Sequence, residues 1–267
     1  MKRLTAALLG LALCCTACKK TFQFSPHEVR PAAGERALNA KAIARIAALP
    51  PKNSFRFLLV GDTQRFYEQV DDFVAAANAL DSIDFVLLAG DITDFGMQTE
   101  FSWVHERLSR LRVPYIAIIG NHDMLANGRT AFGQMYGPEN FTFSYNGYKF
   151  VCLNTNSNET GFDGSLPEMS WFGRAMADLE RYDGAFVVSH MAPYDELFDR
   201  RHHDAFTALV RQSGKVRGSL HGHQHRFSMQ QPYNDGIPYV VVGSFNRRNY
   251  VLVTAGKETV NYEERYY

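Results

Sequence analysis

The sequence predicts an α/β protein built on a parallel sheet, and two observations carry that reading. Short apolar runs, "FRFLLVG", "DFVLLAG", "PYIAIIG" and "AFVVSH", are rich in β-branched and aromatic residues and apolar at consecutive positions, as strands covered on both faces are. Between them the apolar residues recur every three or four positions: Val70, Phe73, Val74, Ala77 and Leu80, then Phe101, Val104, Leu108 and Leu111. Strand and amphipathic helix in alternation feed a parallel sheet with helices on its faces.

The elements follow in chain order. Residues 1–17 read as an export signal, with Lys2 and Arg3 as a basic start and an apolar run from Leu4 to Ala17. That run is shorter than the roughly 20 residues that span a bilayer. Cys18 follows the small residues Thr16 and Ala17 and resembles the acylated cysteine of bacterial lipoproteins, which implies a lipid anchor in the cell envelope. A plain secretion signal cut near Ala17 is the alternative. With Cys18 acylated, Cys152 is left without an intrachain disulfide partner, and its apolar neighbours Val151 and Leu153 predict a small buried hydrophobe. Residues 18–53 hold a polar spacer with Pro26 and Pro31, then one amphipathic helix in "AGERALNAKAIARIAALPP", expected on the domain edge. Residues 54–267 form the domain proper. Within it "NFTFSYNGYKFVCLN" reads as a hairpin turning at Asn-Gly, and "IPYVVVGSF", "YVLVTA" and "TVNYEERYY" read as antiparallel strands.

Composition bounds the partners. Hydrophobic residues make up 46% of the 267, enough for a sizeable core, and Lys plus Arg and Asp plus Glu both number 28. A balanced charge argues against general attraction to nucleic acid or to acidic membranes, so any anion site is local.

The apolar runs end in polar clusters: "GDTQ" at 61–64, "GDITD" at 90–94, "GNHD" at 120–123 and "SH" at 189–190, with "HGHQH" at 221–225 after a further short run. In an open parallel sheet the carboxyl ends of strands share one edge, so these clusters converge where ligands bind. One such cluster alone is an ordinary turn. Together they gather aspartate, asparagine and histidine, the hard oxygen and imidazole ligands that suit divalent metals.

Their order and spacing resemble the calcineurin-like metallophosphoesterases, whose pattern is Asp-x-His, Gly-Asp-x-x-Asp, Gly-Asn-His-Asp/Glu, a later His, and Gly-His-x-His. The resemblance spans residues 61–225 and departs at Gln64, which stands where the family has histidine. It implies an αββα sandwich with a mixed, largely parallel central sheet. It also implies two divalent metals (Mn, Mg, Fe or Zn). Asp62, Gln64, Asp91 and His225 would hold the first, and Asp91 would bridge to a second held by Asn121, His190 and His223. A neutral amide oxygen at Gln64 favours Mn or Mg at the first position. His122 corresponds to the proton donor for the leaving group and Asp94 to its orienting partner. The implied reaction is hydrolysis of a phosphate mono- or diester by a hydroxide bridging the two metals. A non-catalytic surface lipoprotein that uses the fold for binding is the competing reading.

Phe95 stands where the protein phosphatases of the superfamily carry a phosphate-clamping arginine, so that clamp is absent, and Arg65 or Arg129 are the candidate substitutes. Met124–Tyr145 and the asparagine-rich segment from residue 154 are expected to be loops that shape substrate choice. Trp171 and Phe172 are expected in helix core.

Overall fold

In the computed structural model, residue 25 and residues 27–267 are described; the expected signal and Cys18 lie outside them. The first helix, α1 (Leu38–Ala47), precedes β1 (Ser54–Val60), α2 (Tyr67–Ala79), β2 (Phe85–Leu88), α3 (Gln98–Leu108) and β3 (Tyr115–Ala117). Then come α4 (Gly128–Met135), β4 (Phe141–Tyr145), β5 (Tyr148–Cys152), α5 (Met169–Met176), β6 (Gly184–Val188), α6 (Arg200–Gln212) and β7 (Val216–His221). The chain closes with β8 (Ser228–Gln230), β9 (Tyr239–Val241), β10 (Asn249–Gly256) and β11 (Val260–Tyr266).

The central layer is two sheets. One has five strands in the order β11-β10-β1-β2-β3, the other six in the order β4-β5-β6-β7-β9-β8. In the first, β1, β2 and β3 are parallel; in the second, β5, β6, β7 and β9 are. The strands read as covered on both faces are so, but a helix covers only one of them. In β1, Leu58 and Val60 face Phe73 and Val74 of α2 and Phe101 of α3, while Phe55, Phe57 and Leu59 face the second sheet. There aromatic rings fill the gap: Phe57 stacks on Phe85 at 5.0 Å and meets Phe150 and Phe186 edge-on at 5.5 and 5.4 Å. Rings offset or crossed in this way gain beyond the area they bury. The outer face of the second sheet is covered by α5 and α6, through Phe172, Phe206 and Val210.

The hairpin forms as expected. Asn146 and Gly147, with φ of 49° and 82°, make the tight turn between β4 and β5. The tail is antiparallel in β10 and β11, and β9 is antiparallel to β8 on one side but parallel to β7 on the other, so the expectation that "IPYVVVGSF" is antiparallel holds on one side only. The chain runs back along β8 and reverses again over 231–238, so β9 repeats the direction of β7. Helix α1 closes an edge. The buried Asn39 amide donates to the Ala117 carbonyl at 2.8 Å and accepts from its N–H at 3.0 Å, which satisfies the open side of β3. Cys152 is buried, and burial raises its thiol pKa. Among the described residues no helix is long and apolar enough to cross a membrane.

Candidate metal centre

Strands of both sheets deliver their terminal clusters to one place. Asp62 and Gln64 follow β1, Asp91 follows β2 and Asn121 follows β3; from the other sheet, His190 follows β6, and His223 and His225 follow β7. The backbone turns sharply at each. Asp62, Gln64, Asp91, His223 and His225 have φ of 57°, 36°, 52°, 73° and 55°, the left-handed region that side chains avoid unless their surroundings hold them there. Two glycines make room. A Cβ at Gly120 would overlap the backbone N and Oδ1 of Asp91, and one at Gly90 would come 2.6 Å from Nδ1 of His190.

Ligand atoms of Asp91, His190 and His223 lie within 4.8 Å of one another, and so do those of Asp62, Asp91 and His225. Asp91 belongs to both groups. Asn121 completes the first, its Oδ1 standing 3.1 Å from Nε2 of His190 and 3.1 Å from Nδ1 of His223. Gln64 reaches the second. Its buried side-chain amide donates to Oδ2 of Asp91 at 3.3 Å, and a half-turn of the amide plane exchanges that nitrogen for Oε1.

The protonation pattern fits cations. Nδ1 of His190 lies 2.7 Å from the Ala89 carbonyl and donates to it, which leaves the Nε2 lone pair facing Oδ1 of Asp91 at 3.3 Å and Oδ1 of Asn121. Three acceptors converging with no donor among them need a positive charge between. In the protein alone a proton fills that role. Burial acts to lower the His190 pKa, but the Asp91 and Asp62 carboxylates outweigh it and raise it to about 10. For Asp91, burial acts to raise the pKa, and His190 outweighs it and holds the carboxyl at about 2. A divalent ion in the same place would supply the charge and release the proton.

Residues to which the sequence reading assigned no role support the candidate ligands. Nε2 of His223 stands 3.7 Å from Oδ1 of the half-buried Asp195, the carboxylate–histidine arrangement that orients a ligating imidazole. Asp123 is fully buried and accepts from the backbone N–H of Gly120, Ile92 and Thr93 at 2.9, 3.1 and 2.9 Å and from the Thr93 hydroxyl. It ties the turn after β2 to the turn after β3. His221, one residue before the Gly-His-x-His pattern, is a fully buried neutral ring, its pKa lowered to about 3 by burial.

The family pattern of the calcineurin-like phosphoesterases matches residues 55–227, which carry all of these ligands. The chain belongs to that family. Solved structures with the same fold include a dimetal phosphatase from Danio rerio, with a TM-score of 0.67 at 12% identity over 79% of this chain and 96% of that one. A purple acid phosphatase from yellow lupin (Lupinus luteus) gives a TM-score of 0.65 at 14% identity over 81% of this chain and 52% of the lupin chain. GAP50, the anchor in the inner membrane complex of Plasmodium, gives 0.59 at 12% identity over 80% and 85%. A comparison with curated proteins finds no significant match.

Within this phosphoesterase fold several expectations are refined. His122 sits at the centre, its backbone N–H donating to Oδ1 of Asp91 at 3.0 Å. Asp94 orients its ring through the backbone carbonyl, 2.8 Å from Nδ1, while the Asp94 carboxylate is 3.8 Å away and pairs with Arg65 at 3.2 Å. Arg129 is bound to Glu139 by both Nε and a terminal nitrogen and is not available to the centre. Phe95 is 59% exposed.

Two loop expectations are corrected. The segment Met124–Tyr145 is mostly ordered as α4 and β4. Asn154 and Asn156 are fully buried, and the Asn156 amide donates to the Ile119 carbonyl at 3.1 Å, so the asparagines brace the turn that carries Asn121. Phe172 is core, as expected, but Trp171 is only half buried and lines a cavity. Successive helix positions point about 100° apart, so both indole and phenyl cannot enter one core.

Proposed function

We propose that the protein is a two-metal phosphate-ester hydrolase. The observation that carries the reading is Asp91, one buried carboxylate common to two groups of ligands drawn from both sheets. Asp62, Gln64 and His225 would hold one divalent ion with it, and Asn121, His190 and His223 the other. Ions held there would supply Lewis acidity and water with a pKa of about 7.

The remaining work falls to the chain. Nδ1 of His122 is held by the Asp94 carbonyl, so Nε2 is the atom that gives a proton to the leaving oxygen. General acid help of this kind contributes typically about 10²–10⁴-fold. Arg65, tethered to the Asp94 carboxylate with its side chain 66% exposed, is the cation next to His122 and takes the part of the arginine that Phe95 replaces. A single guanidinium held this way suits a diester at least as well as a more anionic monoester.

Asp91→Asn is expected to lose at least about 10³-fold in hydrolysis of p-nitrophenyl phosphate and of its bis ester, since one ligand serves both ions. Its circular dichroism should match the parent. Persistent activity sinks the assignment. The rival, a binding protein that kept the fold, is favoured by fewer than one metal per chain after repletion; about two per chain favours the enzyme. We also infer export and lipid attachment at Cys18, facing the envelope, with residues 18–53 as tether and helix. Cys18→Ser should move the protein from the membrane to the soluble fraction.

A further inference from the structure

A cavity of about 470 Å³ opens between α4 and α5, lined by Arg129, Glu139, Asn140, Ser165, Glu168 and Trp171 among others. This is the size of a small-ligand pocket. One buried residue links it to the segment that follows the metal centre's Asn121 and His122. Asn154 donates from its backbone N–H to Oδ1 of Asn140 at 2.8 Å and from its amide to Oε2 of Glu139 at 2.9 Å, on the cavity side. The same amide lies 3.5 Å from Sδ of Met124, two residues beyond His122. These contacts lead from the cavity to the segment that carries His122, the side on which a leaving group takes its proton.

The lining chemistry selects the occupant. Arg129 is paired with Glu139, which compensates its charge and leaves its other N–H groups to donate, and with Glu168 the lining is net negative and unsuited to a second anion. Glu168 meets its neighbours only at long range, 3.4 Å to the Ser170 hydroxyl, 3.5 Å to the Asn140 amide and 3.7 Å to Arg174, and its carboxylate keeps capacity to accept. The Asn140 amide, its oxygen already used, keeps hydrogens to donate. Trp171 adds a flat apolar wall. Donors and acceptors therefore stand side by side around an aromatic wall, which suits the hydroxyls of a sugar, each of which both gives and accepts a hydrogen bond. We infer that this cavity is a leaving-group subsite for a sugar ring, and that the substrates are phosphorylated saccharides. The inference rests on the hydrolase reading for its place in the reaction, but not for the binding itself.

The chain has two tryptophans, Trp103 and Trp171. In a Trp103→Phe background Trp171 is the only indole, and its fluorescence reports the cavity. Titration with phosphate-free probes, a panel of methyl hexosides, N-acetylhexosamines and pentosides alongside adenosine, should give a saturable change with at least one sugar. Glu168→Ala, with unchanged circular dichroism, should raise that midpoint about tenfold, one charged hydrogen bond's worth of about 1.4 kcal/mol. The subsite is overturned if every sugar leaves the fluorescence flat, if adenosine alone saturates, or if Glu168→Ala binds as tightly as the parent. The titration is repeated on Asp91→Asn. Sugar binding without hydrolysis in the parent sinks the hydrolase and leaves the subsite standing; hydrolysis with flat titrations does the reverse.

Discussion

At the scale of the residue, Gln64 sets this chain apart from its family. Its side chain is buried at the centre beside Asp91, where an amide oxygen is a harder and weaker ligand than an imidazole nitrogen. Gln64→His should therefore tighten zinc at the first position about tenfold relative to manganese, read by competition with a zinc chelator. An unchanged preference would mean that the amide serves only as a donor to Asp91. Asp195 makes a complementary case, because it touches no ion and acts through His223. Asp195→Asn should weaken metal affinity at the second position about 10–100-fold, the usual cost of losing such a partner, with the first position unaffected. The convergence of the candidate ligands was legible in sequence because each follows a strand, and Gly-Asp and Gly-Asn-His keep their spacing at a strand end. Asp195 was not, and Asp123 was visible only as the last residue of "GNHD", since what gives each its role is a contact with His223 or with Thr93 and Gly120 that no local spacing encodes. The Asp94 carbonyl was invisible for another reason: every residue has one.

At the scale of the element, the strands and helices read from periodicity are present, while their partition between two sheets is not in the pattern. An apolar run such as "FRFLLV" states that both faces are dry, and it is silent on whether a helix or another sheet dries them. Parallel pairing of β9 with β7 likewise follows from the path of the chain and not from its composition. The amphipathic face of α1 was plain, but its polar contribution was not. Asn39 lies on the buried side and replaces a missing neighbour strand for Ala117, by one donated and one accepted bond. Asn39→Leu keeps the apolar face and leaves a buried N–H and C=O of β3 without partners, which costs about 1–3 kcal/mol. Urea unfolding should show that loss in the midpoint with no change in slope; a smaller effect would mean that water reaches this edge.

At the scale of the whole molecule, the centre is a joint between the two sheets. Asp62, Gln64, Asp91 and Asn121 come from the first, and His190, His223 and His225 from the second, so neither sheet holds a full set. Without ions the joint brings the buried carboxylates of Asp62 and Asp91 together, with His225 beside the first and His190 beside the second as counter-charges. Ions bound to the folded chain and not to the unfolded one must then stabilise it by mass action, by about 2.7 kcal/mol per ion at a hundredfold excess over Kd. For a domain of this size each kcal/mol moves Tm by roughly 2–4 °C, so stripping one tightly held ion should lower Tm by roughly 5–10 °C and stripping both by more. Scanning calorimetry before and after chelation, with repletion to recover the loss, measures this directly. In Asp91→Asn the chelator should move Tm far less, because the residue common to both groups no longer holds the sheets to the same ions. A parent Tm indifferent to chelation and repletion would mean that hydrophobic contacts such as Phe57 on Phe150 join the sheets without help, and that the ligands converge on no ion.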